Sequence, residues 1–509
     1  MSPKPVAAPA ASSVEWYPEP PSSGDPQHAP PLPGRARPGT AEGPLPLAAV
    51  APRPAADPVS LAGLAACVED ARSAAQSPRT SPRDPTFFST LRARLGEAIA
   101  RLPMAYRAAM GEPLLRALDG MGSGGFARIL AMDPGREGAA RLLLDLAQAV
   151  LQRGEGYQAR ATAAFQEVVS DLYDGFLSAE DRRGVKPPDH GVTPPLIRWG
   201  PAETGPYTWP ATATAAFDVK AAVVSLPAAN AGGGLLAWPA LAHETAGHDI
   251  LEADDGLREE LARAVSKQVL AAKMDPAVAG YWSERIDEAA SDVLGVLNMG
   301  PAAAVGLVGY FRALNGAWRG MPELRSVGRE EDPHPADIAR AYLAAETVRL
   351  LSFSGAERWA DRLIVEADRD VEQIRFGDVA VSAAVARASA AAVARAIVKT
   401  RMPSLEGRAL GEIQDWRDRD EAIVAVLRRE MKEGGARAGT ALPRTYSIGT
   451  YAAHAVAAAV YEAVAGDSPP SEVMGRMVGV LAGMHERNPE WKEHPVAPPA
   501  RRPGGPRAA

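Results

Sequence analysis

The chain has 509 residues, of which 46% are apolar and 23% are charged, and its formal net charge is −7. This length allows two or three packed units with a sizeable core, and the composition is that of an ordinary globular protein. The negative net charge provides no basic field for nucleic acid or for an anionic membrane, so we expect neither as a partner.

Cys67 is the only cysteine, which excludes an internal disulfide and a cysteine-based zinc site. The first thirty residues lack the apolar region of a secretory signal. No apolar run reaches the roughly 18 residues that a membrane span requires. We therefore predict a cytoplasmic protein, with export by another route left open.

The two ends of the chain are predicted to be disordered tails. Residues 1–58 hold 16 of the 46 prolines and show almost no periodic apolar pattern. Such a segment cannot bury enough surface to offset its conformational entropy. Residues 495–509 are assigned as a second, shorter tail.

Between the tails the pattern is mostly helical. Phe165, Val169 and Leu172 recur at three- and four-residue spacing, as on the apolar face of a helix. Prolines, glycines and aromatics replace this period from Val185, and the valine-rich segment 217–226 is the best strand candidate. The sequence therefore predicts a mainly α protein with a small β element (α+β).

This organisation divides the ordered part of the chain into three predicted units. Residues 59–184 form an N-terminal helical unit, and residues 301–494 form a C-terminal helical unit. Residues 185–300 lie between them and contain the strand candidate, a loop with three consecutive glycines and a metal-binding motif. We detect no internal repeat.

The metal-binding motif is the segment 241–251, LAHETAGHDIL. It holds two of the eight histidines, His243 and His248, with Glu244 directly after the first. Zinc favours imidazole and carboxylate ligands, and a catalytic zinc site needs three protein ligands and a water. Both histidines are therefore predicted ligands.

The spacing of these histidines is unusual for one helix. Residues five apart lie about 140° apart on an ideal α-helix, so their imidazoles could not reach one ion. A π-type bulge that inserts one residue would return them to one face. We therefore predict a bulged turn at 245–247, where Gly247 makes the distortion easier to accommodate.

The third ligand is expected from the segment 282–299, which the pattern indicates is one helix. Glu284, Glu288 and Asp292 lie four residues apart on one face. A row of buried carboxylates is costly unless a cation compensates it. Glu288 is the preferred ligand, with Glu284 as the alternative, and Asp292 is placed to accept the free N–H of a ligating histidine.

Two motifs in this region resemble a known class of zinc peptidases. HETAGH is similar to the HExxGH helix of the dipeptidyl peptidase III family. EAASD resembles the glutamate helix of gluzincins, in which the third ligand is a glutamate followed four residues later by aspartate. Asp287 matches a second acidic residue of the dipeptidyl peptidase III pattern, but Ala290 and Ser291 stand where that family has a basic residue. The resemblance, which covers about residues 241–299, therefore does not extend to exopeptidase specificity.

The resemblance implies a zincin-like two-helix metal core and a zinc-dependent metallopeptidase. By this resemblance His243, His248 and Glu288 are the ligands of Zn²⁺, and Asp292 orients a ligating histidine. Glu244 would be the general base that activates a zinc-bound water for attack on a peptide carbonyl. The implied partner is a peptide or protein substrate.

Gluzincins usually stabilise the oxyanion with a tyrosine or histidine from the region after the glutamate helix. The candidates here are His334, Tyr446, Tyr451 and His454, and the sequence does not choose among them. His334 and Tyr446 are retained as candidate catalytic residues.

The strand candidate 217–226 precedes the metal helix, as the substrate-pairing edge strand does in zincins. An extended peptide would then add its backbone to the edge of the sheet. An ordinary packing strand is an equally good interpretation.

Two other functions stay open at this point. The site could belong to a zinc hydrolase of a non-peptide amide or ester, or to a non-catalytic helical scaffold with a structural or vestigial zinc. An open coordination position faced by Glu244 favours an enzyme, whereas a fourth protein ligand favours the scaffold.

Overall fold

The computed structural model describes residues 59–79, 81–177, 185–190, 193–433, 450–466 and 468–492. The predicted tails 1–58 and 495–509 lie outside these residues. Within them the fold is mainly helical with small sheets, which confirms the predicted fold class. The predicted boundaries near 184 and 300 stay predictions.

The first half of the described chain contains eleven α-helical segments and three strands. The helices are α1 Leu64–Ala75, α2 Phe88–Ile99, α3 Met104–Tyr106, α4 Glu112–Met132, α5 Ala139–Glu155, α6 Ala159–Leu177, α7 Ala211–Thr214, α8 Ala240–His243, α9 Leu257–Ala271, α10 Pro276–Glu284 and α11 Ile286–Met299. The strands are β1 Leu196–Gly200, β2 Tyr207–Trp209 and β3 Val223–Pro227.

The second half is again mostly helical. Its helices are α12 Pro301–Arg319, α13 Asp337–Arg349, α14 Ala356–Asp368, α15 Ala383–Lys399, α16 Leu410–Ile413, α17 Asp418–Glu433, α18 Ala452–Ala465, α19 Pro470–Arg487 and α20 Pro489–Lys492. Five short strands, β4 Val327–Gly328, β5 Ile374–Phe376, β6 Val379–Val381, β7 Arg401–Met402 and β8 Arg408–Ala409, form two minor sheets.

The sheet β1–β3–β2 lies between two hydrophobic cores. Val223 faces a smaller core that β3 shares with α2, α4 and α5, whereas Val224 and Leu226 face the larger core of the remaining helices. Successive side chains of a strand point to opposite faces, so both faces of β3 are covered. This explains why the strand has an almost uninterrupted apolar sequence.

The predicted strand 217–226 is wrong at its start, and of its two possible roles the structure supports ordinary packing. Phe217 closes a 3₁₀ turn, and Asp218 follows it with φ of 59°, a left-handed conformation that ends any extended run before β3 begins. β3 also pairs with β1 on one side and with β2 on the other. It therefore has no free edge for a substrate, and β2 is an edge strand instead.

Helices from all three predicted units pack together around the larger core. α1 packs against α12, α6 packs against α19, and α11 packs against α8, α12 and α13. Within the described residues, no helix combines the length and the apolar character needed to cross a membrane. α11 is thus enclosed by elements from both sides of the sequence, and it carries the predicted carboxylate ligand.

Candidate metal centre

The helix that carries the two histidines changes type at the first of them. α8 ends at His243, and Glu244–Asp249 form a π-helical turn. A π turn bonds residues five apart, so the side chains of His243 and His248 emerge on the same side. Their ring centres lie 4.8 Å apart. The bulged turn predicted from the histidine spacing is confirmed.

Gly247 lets the π turn lie directly against α11. A Cβ atom at this position would be 2.4 Å from Ser291 Cβ and 2.5 Å from Ser291 Cα, distances that no real side chain tolerates. The absence of a side chain therefore brings the two backbones together. This close approach places Glu288, one turn before Ser291, beside the histidines.

Replacing Gly247 by alanine should destabilise the protein because the new methyl group must displace α11. We expect the free energy of unfolding to fall by about 1–3 kcal/mol, as for other overpacked cores. Gly96→Ala on α2 is the control, because no atom lies within 4 Å of its Cβ position. That variant should be unchanged or up to about 1 kcal/mol more stable. Chemical denaturation measures both, and equal stability of Gly247→Ala and the unmodified protein would show that the contact is not tight.

Three of the predicted ligands converge on one point. One ligand atom each of His243, His248 and Glu288 lies within 4.8 Å of the other two. The Nε2 atom of His243 is 3.5 Å from Glu288 Oε2, and that of His248 is 3.6 Å from Glu288 Oε1. Two imidazoles and one carboxylate are a common ligand set of catalytic zinc.

Both histidines are oriented by a carboxylate behind the ring. Asp292 Oδ1 is 2.9 Å from Nδ1 of His243, and Asp287 Oδ2 is 3.2 Å from Nδ1 of His248. A proton on each Nδ1 is thereby held in place, which leaves Nε2 as the atom that faces Glu288. Such support fixes the tautomer and the orientation of metal-binding histidines.

The carboxylates around His243 and His248 stabilise positive charge on the two imidazoles. Burial lowers the pKa of His243, but the hydrogen bond to Asp292 and the nearby carboxylate of Glu288 outweigh it and raise the pKa to about 10. Burial also lowers the pKa of His248, but the hydrogen bond to Asp287 outweighs burial, so the pKa is raised above its ordinary value. A metal ion would therefore replace protons that the same carboxylates stabilise.

Arg340 of α13 connects the carboxylates of α11. Its Nε and Nη2 atoms donate to the two oxygens of Asp292 at 2.7 and 2.8 Å. Its Nη1 atom lies 3.1 Å from Glu288 Oε2 as an ion pair, without the geometry of a hydrogen bond. Burial would raise the pKa of Glu288, and Arg340 together with the histidines holds it well below its usual value.

The residues present fit a metal ion. Glu288 Oε2 is buried and accepts no hydrogen bond from the described residues. A buried carboxylate oxygen without a hydrogen bond is costly, and a cation between the two histidines would satisfy it. The buried oxygen thus faces the point where the two imidazole nitrogens also converge.

Glu284, the alternative third ligand, is excluded by a break in the predicted helix. α10 ends at Glu284 and α11 begins at Ile286, with Arg285 between them outside helical geometry. The guanidinium of Arg285 donates to the backbone carbonyls of Arg329, Glu330 and Asp332, which hold the break in place. The Glu284 side chain is 73% exposed and does not belong to the group whose ligand atoms converge.

Glu244 is buried beside the cluster and is held by Thr208 of β2. The Thr208 hydroxyl lies 2.9 Å from Glu244 Oε2 and 3.0 Å from the Glu244 carbonyl oxygen. Its single proton can be donated to either oxygen. One carboxylate oxygen is thus fixed by the edge strand, and the other accepts no hydrogen bond from the described residues and adjoins the cavity.

The edge strand itself is anchored on its other face. Tyr207 Oη and Trp209 Nε1 donate to the same oxygen of Asp145, at 2.6 and 2.9 Å. Arg198 of β1 pairs with the second oxygen of Asp145 at 2.5 Å, and both groups are buried. Because side chains alternate along a strand, this anchor turns Thr208 towards Glu244.

Among the candidates for the oxyanion donor, His334 lies at the cluster. Its Nε2 atom is 3.3 Å from Glu288 Oε1, and its Nδ1 atom is 2.9 Å from Asp332 Oδ1. Tyr446 lies outside the described residues. Tyr451 and His454 line a separate, smaller cavity, where His454 pairs with Asp420. Of the three candidates that lie within the described residues, the structure brings His334 alone to the predicted ligands.

Tyr310 of α12 is a further donor, and no sequence pattern singles it out. It is 5% exposed and lines the cavity that contains Glu244 and the ligands. Burial, reinforced by the charge of Glu244, raises the pKa of Tyr310, so its hydroxyl keeps its proton at neutral pH. Nothing in the local sequence around Tyr310 marks its relation to the metal motif.

The cluster opens into a cavity of about 550 Å³. β2, the π turn, α11 and α12 all contribute to its walls. This volume lies within the range of pockets that bind small molecules or short peptide segments.

The chain matches no protein-family model, no curated protein and no solved structure.

Proposed function

We propose that this protein is a zinc-dependent metallopeptidase whose site comprises His243, His248, Glu288 and the base Glu244. The observation that carries the proposal is the convergence of three typical zinc ligands with a carboxylate in one open cavity. A zinc ion bound there would supply a Lewis acid that polarises a carbonyl and lowers the pKa of a water.

Protein side chains would transfer the proton and stabilise the oxyanion. Glu244 accepts a proton through its free carboxylate oxygen and later returns it to the leaving amine. Thr208 keeps the other oxygen fixed during both transfers. Asp332 orients His334, and His334 and Tyr310 are the two donors available to a developing oxyanion.

A peptide is the favoured substrate because an edge strand borders the cavity. β2 is hydrogen-bonded to β3 on one side, and its residues Tyr207 and Thr208 line the cavity. Extended peptides commonly bind by adding their backbone to the edge of a sheet. This arrangement would place a peptide bond beside Glu244.

The test is zinc-dependent cleavage of a mixed peptide library, with the products identified by mass spectrometry. We expect cleavage by the purified protein, loss of cleavage after chelation, and recovery with one equivalent of zinc per chain. A protein that binds zinc tightly and cleaves no peptide would overturn the proposal in favour of a scaffold with a structural zinc.

Thr208→Val should lower the rate of peptide hydrolysis because it removes the hydrogen bond to the base. Hydrogen bonds to charged groups contribute about 1.5–3 kcal/mol, so we expect a roughly ten- to hundredfold lower kcat. Zinc content should stay at one per chain, since the Thr208 hydroxyl is hydrogen-bonded to Glu244, which is not a predicted ligand. Thr208→Ser restores the hydroxyl and should recover most of the rate. Full activity of the valine variant would show that Glu244 needs no such support.

A further inference from the structure

One face of α12 forms an apolar wall of the cavity that contains the metal ligands. We define the wall as Ala303, Leu307, Tyr310, Phe311 and Leu314. These residues recur at three- and four-residue spacing and so share one face of the helix. The remaining faces of α12 pack against α1, α11, α13 and α18.

The described parts of the chain cover the wall only in part, since Ala303 and Tyr310 are buried and the other three residues are not. Leu307, Phe311 and Leu314 are only partly buried, unlike Val305 and Val308 on the packed faces of the same helix. Apolar side chains that line a cavity lose contact with water when a ligand enters, and this favours ligands with an apolar surface of their own.

The wall adjoins the reactive groups directly. The charge of Glu244 acts on the hydroxyl of Tyr310, which belongs to the wall. The ring of Phe311 lies 4.7 Å from the guanidinium carbon of Arg340, and Arg340 contacts Glu288. A group held against the wall therefore lies in the same cavity as the base and the predicted ligands.

We infer that the wall binds an apolar side chain of the peptide, aliphatic or aromatic, next to the bond that is cleaved. This inference rests on the proposed function, because it assigns specificity to the same site. The edge strand β2 contributes backbone groups that accept any sequence, whereas the wall selects the side chain. Serine or aspartate in its place would leave a polar group without a partner.

The experiment measures binding and not turnover. The peptides have five residues and blocked ends, with leucine, phenylalanine, serine or aspartate at the centre and glycine at the other positions. Each peptide is titrated into the full-length, zinc-loaded Glu244→Gln protein, and its affinity is measured by calorimetry. We expect the leucine and phenylalanine peptides to bind at least about tenfold more tightly than the serine and aspartate peptides. Equal affinities would overturn the inference.

Variants of the wall identify where the preference arises. Leu307→Asp should abolish the preference, and Leu307→Ala, a smaller change that keeps the surface apolar, should weaken leucine-peptide binding by roughly tenfold. Leu270→Asp is the control, since Leu270 is 45% exposed on α9 and does not line the cavity. A preference that survives both changes at Leu307 would contradict the assignment.

The outcomes separate this inference from the proposed function. If the wall binds apolar peptides selectively but the protein hydrolyses no peptide, the binding site stands and the proposed peptidase activity is wrong. If the protein cleaves peptides but binds them without side-chain preference, the proposed peptidase activity stands and the role of the wall is wrong. Self-association of the unmodified protein that Leu307→Asp abolishes would show that a second copy covers the wall, which also overturns the inference.

Discussion

Glu244→Gln should lower the rate of peptide hydrolysis by about a hundredfold or more while zinc stays at one per chain. General acid–base catalysis contributes roughly 10² to 10⁴, and glutamine keeps the size of the side chain but accepts no proton. The Thr208 hydroxyl can still donate to the amide oxygen, so the fold around the site should be preserved. The measurement is hydrolysis of one cleavable peptide at saturating zinc.

The control for this prediction is the same substitution at Glu284, which is exposed and outside the cavity. Glu284→Gln should hydrolyse the peptide at the rate of the unmodified protein. If Glu244→Gln were equally active, another group would have to accept the proton, and the role of Glu244 would be lost.

The ligand substitutions should remove zinc together with activity. His243→Ala and His248→Ala each delete one of the converging nitrogens, and Glu288→Gln removes the negative charge between them. Asp292→Asn leaves the ligand set intact and should weaken zinc binding by roughly ten- to a hundredfold, as expected for a residue that orients a ligand. The three ligand variants should lose more affinity than that.

Zinc affinity is measured by titration of the metal-free variants, with circular dichroism to verify that each is folded. Glu284→Gln serves again as the control, because the break at Arg285 separates Glu284 from the cluster. Full zinc retention by both histidine variants would place the metal elsewhere in the protein.

The metal motif could be predicted from the sequence because its geometry is local. Two histidines five residues apart can share an ion only if the helix is distorted, and the π turn Glu244–Asp249 is that distortion. Glu288 and Asp292 are one turn apart within α11, so their common face also follows from sequence spacing alone.

The errors concern features that depend on distant parts of the chain. The break at Arg285 is held by backbone carbonyls of residues 329–332, more than forty positions away. The central place of β3 depends on its pairing with β1 and β2, which its own sequence cannot encode. The apolar run therefore predicted that a strand is present, but it did not locate its start and left its position in the sheet open.

The residues that sequence reasoning missed reach the site through tertiary packing. Thr208 comes from the edge strand, Tyr310 from α12 and Arg340 from α13. None has a fixed spacing from the histidine motif, and each belongs to an ordinary apolar or mixed segment. Only the packing of α11 between these elements brings their side chains to the ligands.

The most direct test of the metal centre is a crystal structure of the zinc-loaded protein, with anomalous diffraction measured at the zinc edge. We expect one strong anomalous peak among His243, His248 and Glu288, with Glu244 facing a coordination position that no protein atom fills. A peak at another place, or a fourth ligand such as His334 that closes the site, would contradict a catalytic zinc centre.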